Sequence, residues 1–322
     1  QKSIETLFET QFEEDVYQGL TDFPKHLSSK YFYDAKGDKL FQDIMKMPEY
    51  YLTDCEFEIF EQHREEIANR FSASFGKFSL IELGAGDGKK TKILLKQLVD
   101  HKTSFKYQPI DISHNVLNQL ESSLENEITG LEVETRQGTY FEALKKIHSQ
   151  NGVRKVILFL GSNIGNLLHP QAIEFLKSVQ ELMGEDDLFF VGFDQKKNPQ
   201  TILDAYNDKT GITEAFNKNV LTRINAEMGG NFNLDSFLHW EVYNPETGTA
   251  KSYLVSKEEQ SVHIEKLNFK VDFKAWETIH TEISQKYDDA TITWLAEKSG
   301  LQIETFFSNE NDYYRNYIFR KK

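Results

Sequence analysis

Between residues 78 and 194 short apolar runs alternate with amphipathic stretches, and few folds are open to a chain with that rhythm. Residues 78–83, 106–110, 133–135, 155–160 and 187–194 read as strands. Residues 89–98, 113–124, 141–148 and 170–183, lying between them, read as helices. Short apolar strands joined by amphipathic helices predict a parallel sheet covered on both faces, a doubly wound α/β domain.

The rhythm breaks near residue 197. Residues 201–228 read as helix, and 238–284 as several strands joined by turns such as Asn244-Pro245-Glu246-Thr247-Gly248. Hairpins do not extend a parallel sheet, so this stretch predicts a smaller α+β unit inserted in the first. A helix at 289–298 closed by Gly300 and an edge strand at 313–320 then return to the α/β sheet. The first 75 residues read as helical, with a capping box at Thr53-Asp54-Cys55-Glu56 starting a helix just after Tyr50-Tyr51. The 322 residues amount to about two domains. The expected division is 1–196, 197–285 and 286–322, the last returning to the first.

Immediately after the first strand comes Glu82-Leu83-Gly84-Ala85-Gly86-Asp87-Gly88-Lys89-Lys90-Thr91, opening a helix. Glycines 84, 86 and 88 give a sharp turn that a ligand can approach closely, and the helix behind it offers free amides. The spacing is not that of a G-x-G-x-x-G dinucleotide loop. It resembles the first motif of S-adenosylmethionine-dependent methyltransferases. Asp111, at the carboxyl edge of the second strand, suits the ribose hydroxyls of an adenosyl group, because Ser113 already caps the following helix. Lys90 either reaches the methionyl carboxylate or is solvated. At the end of the third strand Thr139 can hydrogen-bond an adenine. Tyr140 can stack on the base or pack in the core.

The fourth strand runs into Gly161-Ser162-Asn163-Ile164-Gly165-Asn166-Leu167, a polar and closely approachable loop at the edge where open α/β sheets bind ligands. Together with Tyr31-Phe32-Tyr33-Asp34-Ala35-Lys36-Gly37, Leu40-Phe41, Pro48-Glu49-Tyr50-Tyr51, Ala205-Tyr206-Asn207-Asp208 and Ala215-Phe216-Asn217-Lys218-Asn219-Val220-Leu221, it makes the chain similar, in order and over nearly its whole length, to the histidine-specific α-N-methyltransferases of ergothioneine biosynthesis. The resemblance implies a Rossmann-like S-adenosylmethionine-dependent methyltransferase fold, α/β, with an inserted smaller α+β substrate domain. It implies S-adenosyl-L-methionine as cofactor, S-adenosyl-L-homocysteine as its product, and three methyl transfers to histidine giving hercynine. The residues it carries over are Asn166 and Tyr206 on the substrate carboxylate, Gly161 and Tyr33 near the amine, Tyr50, Glu282 and Ser284 on the imidazole, and Phe41 lining the pocket.

The stretch 277–284 alternates, with Ile279, Thr281 and Ile283 on one face and His280, Glu282 and Ser284 on the other. A carboxylate beside a hydroxyl matches the two nitrogens of an imidazole, while periodicity alone fits a solvent-facing strand equally well; the resemblance favours the pocket. The chain departs from the family at two positions. Ser252 stands where relatives commonly carry methionine, making one wall of the pocket smaller and more polar. Thr139 stands where an acidic residue is usual.

Composition narrows the alternatives. With 37 Lys and Arg against 51 Asp and Glu the chain carries −14, which argues against nucleic acid as a partner. One cysteine, Cys55, and nine histidines without ligand spacing predict no metal site and a reducing, cytoplasmic setting. No apolar run has the length of a membrane span and no signal peptide is expected. The resemblance implies a small-molecule amino acid as partner, and the default state is a monomer. The rivals are an N-methyltransferase of tryptophan or another aromatic amino acid, admitted by Ser252, and a non-catalytic S-adenosylmethionine-binding protein. A nicotinamide dehydrogenase is disfavoured by the glycine spacing.

Overall fold

The structure is a computed structural model that describes residues 8–73, 76–140, 142 and 153–322. Along the chain run α1 (Gln11–Thr21), α2 (Ala35–Ile44), α3 (Tyr51–Phe71), β1 (Phe78–Leu83), α4 (Thr91–Asp100), β2 (Phe105–Asp111), α5 (His114–Glu127) and β3 (Arg136–Gln137). Then come β4 (Arg154–Phe159), α6 (His169–Leu182), β5 (Leu188–Asp194), α7 (Pro199–Tyr206) and α8 (Ile212–Met228). Strands β6 (Phe237–Asn244), β7 (Thr249–Ser256), β8 (Gln260–Ile264), β9 (Phe269–Phe273) and β10 (Thr278–Gln285) follow, then α9 (Asp289–Ser299), β11 (Leu301–Ser308) and β12 (Tyr314–Lys321). The chain folds as two compact units, Leu52–Lys197 with Gln285–Lys322, and the segment up to Tyr51 with Asn198–Ser284.

The first unit is built on a seven-stranded sheet ordered β11-β12-β5-β4-β1-β2-β3. The five strands from β5 to β3 run parallel, while β12 lies antiparallel to β5 and β11 to β12. Every residue of β1 and β5 is buried, as strands covered on both faces must be. The core gathers Ile81, Ile157, Phe159, Phe175, Phe189, Phe193 and Tyr287, and each large apolar side chain buried here contributes about 1.5–3 kcal/mol. Ser113 caps α5 by accepting from Val116 N at 3.3 Å, as its sequence predicts. Gly300, left-handed at φ +71°, ends α9.

Several expectations need correction. The edge strand is β11, not the 313–320 segment: β12 is inserted between β11 and β5, which accounts for its buried residues Asn316, Tyr317, Ile318 and Phe319. Residues 133–135 give only an isolated bridge from Val133 to Tyr107, and the strand falls at 136–137. The helix expected over 141–148 lies outside the described residues, Glu142 excepted. Thr53 lies inside α3 rather than at its cap, and Glu56 turns into the core.

The second unit holds a three-stranded sheet, β10-β7-β6, and a β8-β9 hairpin around α8. Its core includes Phe12, Val16, Phe32, Phe216, Val220, Phe237, Leu254 and Ile279. Residues 8–51, expected in the α/β domain, belong here because α1 and α2 bury their apolar faces against this core. The single helix read at 201–228 is two. Asp208 fixes the start of α8, its carboxylate accepting from Ile212 N at 3.1 Å, Thr213 N at 2.8 Å and Thr213 Oγ1 at 2.7 Å. Burial pushes that carboxyl up, but these donors and Thr210 outweigh it and bring it to about 2.

Candidate active site

At the carboxyl edge of the parallel sheet three loops meet. Glycines 84, 86 and 88 all take positive φ, at +73°, +56° and +64°. A Cβ on Gly84 would lie 2.7 Å from the Tyr140 hydroxyl and 3.0 Å from Asn163 Nδ2, so the loops after β1, β3 and β4 close on that glycine. A Cβ on Gly86 would meet nothing within 4 Å, which makes this part of the loop an open cradle. Gly86 N donates to Asp111 Oδ2 at 3.1 Å and Ser113 N to Oδ1 at 3.0 Å, fixing the carboxylate while leaving lone pairs for a ribose diol. Open glycine backbone beside a fixed carboxylate fits an adenosyl cofactor.

Thr139 and Tyr140 have other partners. Thr139 is exposed, and its amide and hydroxyl both donate to Glu142 Oε2, at 2.9 and 3.0 Å. The Tyr140 ring packs edge-on against Phe159 at 5.1 Å, so core packing accounts for the aromatic here. Burial, then the nearby Asp111 charge, pushes its hydroxyl well up from the ordinary tyrosine range.

Lys90 is half-buried and ion-paired, and its partner is one the sequence does not suggest. Its ammonium lies 2.5 Å from Glu56 Oε2, and the same oxygen accepts from Gly161 N at 2.9 Å. Glu56 Oε1 accepts from Asn316 Nδ2 at 2.8 Å and Tyr314 OH at 3.2 Å. One buried carboxylate thus ties α3 to the glycine loop, to the loop after β4 and to β12. Beneath lies a second buried ionic group, where Asp194 pairs with Lys286 at 2.7 Å and with Lys197. The loop itself is strained: Gly161 and Ser162 are consecutive left-handed residues at φ +67° and +56°, and Ser162 is not a glycine. Ser162 Oγ is held by the amide of Asp194 at 3.3 Å. Asn166, ending the short 3-10 turn that follows, is exposed, as is Gly161.

The acidic residue of the glycine motif has a structural role. Glu82 is buried and accepts from Thr91 Oγ1 at 2.8 Å and Tyr107 OH at 2.5 Å, locking the first turn of α4 to β1. Burial raises its pKa to about 7, although both hydrogen bonds and Lys90 act the other way.

The second unit gathers most of the residues expected to touch substrate. Tyr33 meets Phe41 edge-on at 5.7 Å, Phe41 meets Tyr50 at 6.3 Å, and Tyr50 meets Tyr206 at 6.2 Å. The buried Tyr206 hydroxyl is 2.7 Å from Ser284 Oγ. The segment carrying Tyr33 is anchored by the motif around 217: Asn219 Nδ2 donates to Phe32 O at 2.8 Å and to Asp34 Oδ1 at 2.9 Å. Gly37 must be glycine, since a Cβ there would sit 1.8 Å from the Phe32 carbonyl oxygen.

On β10 the expected alternation holds for Ile279 and Thr281, both buried, and then fails. Ile283 is only half-buried while Ser284 is buried, because Tyr206 of α7 covers it. Glu282 is half-buried, and its carbonyl accepts from His280 Nε2 at 3.1 Å. Ser252 is 2% exposed and donates to Glu241 Oε2 at 2.6 Å. Sequence reasoning missed Glu56 and Glu241, which local periodicity does not single out. A charged residue at an inward position of a strand or helix is the signal that could have found them.

Among the described residues no group of three His, Cys, Asp or Glu side chains is placed to hold a metal ion, and no helix is long and apolar enough to cross a membrane.

Comparison with known proteins agrees with this arrangement of motifs. The family model described as histidine-specific methyltransferase, SAM-dependent, matches residues 12–321. A histidine N-alpha-methyltransferase of Mycolicibacterium smegmatis is 35% identical over 288 residues, covering 89% of this chain and 88% of the relative. That of Mycobacterium tuberculosis is 33% identical over 296 residues, covering 92% and 90%. Ergothioneine biosynthesis protein 1 of Schizosaccharomyces pombe is 29% identical over 313 residues, covering 92% of this chain and 39% of the relative.

Proposed function

Because the chain belongs to the S-adenosylmethionine-dependent, histidine-specific methyltransferase family, we propose that it transfers methyl groups to the α-amino nitrogen of L-histidine, three in succession, giving hercynine. The observation that carries this reading beyond family membership is the linked set Tyr33, Phe41, Tyr50, Tyr206 and Ser284, continuous by ring contacts and a hydrogen bond, with Glu282 on the same strand. Aromatic walls ending in a hydroxyl pair and a carboxylate suit a small polar ring better than an aliphatic side chain.

S-adenosylmethionine supplies a methyl group on a sulfonium, electrophilic enough to react with a neutral amine. Gly84, Gly86, Gly88 and Asp111 hold it in this reading, with Lys90, Thr139 and Tyr140 alongside. The rest is positioning. Asn166 and Tyr206 take the substrate carboxylate, Gly161 and Tyr33 orient the amine, and Tyr50, Glu282 and Ser284 read the ring, with Phe41 and Ser252 as walls. No strong base is required once the bound amine is neutral, since solvent removes protons between turnovers; the rate gain comes from alignment and from excluding water. A reducing, cytoplasmic setting suits a chain whose single cysteine, Cys55, is a buried thiol pushed up by burial to about 12.

Glu282→Ala tests the ring assignment. It is expected to raise the histidine KM by about tenfold or more while S-adenosylmethionine binding, followed by calorimetry, stays within about twofold. Equal loss of both would make Glu282 a structural residue.

A further inference from the structure

Four donors converge on the buried carboxylate of Glu56: Lys90 Nζ at 2.5 Å and Gly161 N at 2.9 Å on Oε2, Asn316 Nδ2 at 2.8 Å and Tyr314 OH at 3.2 Å on Oε1. Packing gives no reason for a charge here, because every other buried residue of α3 is apolar. Strand β5 leaves room for it as well. A Cβ on Gly192 would lie 2.5 Å from Glu56 Oε1 and 2.2 Å from the Tyr314 hydroxyl. Asn316 and Tyr314, both on β12, are themselves fully buried. Three elements are thus shaped to seat one anion, and among the groups it holds is the Gly161 amide, in the loop after β4.

That loop does not keep its shape unaided. Gly161 and Ser162 are both left-handed, and a serine meets a steric cost there that a glycine does not. Three contacts hold the turn: Gly161 N on Glu56, the Ser162 amide against the hydroxyl of Tyr314, and the Asp194 amide on Ser162 Oγ. Tyr314 gives its own proton to Glu56, so two of these contacts lead to that carboxylate. The 161–162 peptide is trans, and the N–H and C=O of a trans peptide point opposite ways. With the Ser162 amide turned in to a buried hydroxyl, the carbonyl of the exposed Gly161 is turned outward.

We propose that Glu56 is a positioning residue for methyl transfer: with Tyr314 it fixes the 161–162 peptide so that the Gly161 carbonyl accepts an N–H of the substrate amine and leaves the nitrogen lone pair directed at the methyl group. This inference rests on the reading above that sets Gly161 near the amine. In each transfer the lone pair forms the N–C bond as the C–S bond breaks, with the bonding pair left on sulfur. In the first two an N–H proton then passes to solvent. A primary amine and a monomethylated one have an N–H to give the carbonyl. A neutral dimethylated amine has none, so the third transfer gains nothing from this contact.

The test measures single-turnover rates with histidine, its α-N-methyl form and its α-N,N-dimethyl form, at saturating S-adenosylmethionine, in the wild type, Glu56→Gln and Tyr314→Phe. Glutamine keeps one acceptor oxygen and turns an NH2 toward the remaining donors. Glu56→Gln should slow the first two transfers by about tenfold or more and the third by less than about threefold. Tyr314→Phe, which leaves the Lys90 pair intact, should slow the first two by about threefold and leave the third unchanged. Equal slowing of all three overturns the proposal, whether it comes from a weakened fold or from a cofactor displaced along with Lys90, since every transfer shares both. Unchanged rates in Glu56→Gln, or a third transfer slowed most, overturn it too. If Glu56→Gln does not fold, Tyr314→Phe decides. A wild type that methylates none of the three refutes the functional reading itself, whereas an active wild type with equal losses in the variants refutes only the role of Glu56.

Discussion

Glu56 concentrates more of the α/β unit than any motif glycine does. With no exposure and partners at the end of the glycine loop, in the loop after β4 and on β12, it holds the backbone at Gly161 and the ammonium of Lys90 together. Glu56→Gln keeps the shape and removes the charge, leaving Lys90 paired with an amide. We expect a loss of about 3 kcal/mol in urea unfolding, because breaking a buried pair strands its partner. A loss below about 1 kcal/mol would mean that Lys90 reaches solvent instead. His239 carries a pH dependence. Burial lowers its pKa to about 4 from 6.5, and Nε2 has no hydrogen-bond partner. The unfolded chain therefore takes up the proton first as pH falls. The contribution of this residue is full above pH 6.5 and is lost progressively down to about pH 4, at a cost of up to about 3 kcal/mol. His239→Gln should flatten that part of the stability profile relative to wild type; parallel profiles would show that His239 titrates normally.

The element scale shows what was legible in the sequence and what was not. Strands β1, β2, β4 and β5 and helices α4, α5, α6 and α9 follow from apolar runs, caps and glycines that act locally. The break at 207–211 was hidden because Asp208 reads as an ordinary helix residue until its side chain is seen capping the next helix. Strand β11 was hidden because its exposed and half-exposed residues, such as Gln302 and Glu304 to Phe306, give no clean alternation at a sheet edge. Thr53-Asp54-Cys55-Glu56 matches a capping box in spacing alone. Its glutamate has better partners in the core, and tertiary pairing overrides the local signal. The glycine loop is the clearest test at this scale. Gly84→Ala puts a Cβ at φ +73° and 2.7 Å from the Tyr140 hydroxyl. Cofactor affinity should fall by about tenfold or more in calorimetry, through backbone strain and displacement of Tyr140. Unchanged affinity would place the cofactor elsewhere.

For the whole molecule, alternating patterns located the α/β sheet but not the membership of the first 51 residues. Helices α1 and α2 are amphipathic, and amphipathicity states that a face is buried without naming the core that buries it. Tyr33, Phe41 and Tyr50 therefore belong with Tyr206, Glu282 and Ser284 in one unit, drawn from stretches of chain far apart in sequence. The central proposal is that the chain methylates the α-amino nitrogen of histidine in preference to other amino acids. The measurement closest to that claim is mass spectrometry of the products after the protein is incubated with S-adenosylmethionine and each common amino acid in turn. Histidine should gain three methyl groups on its α-nitrogen, and tryptophan and alanine should stay unmodified over the same interval. Methylation of tryptophan or alanine at a rate equal to that of histidine would contradict it.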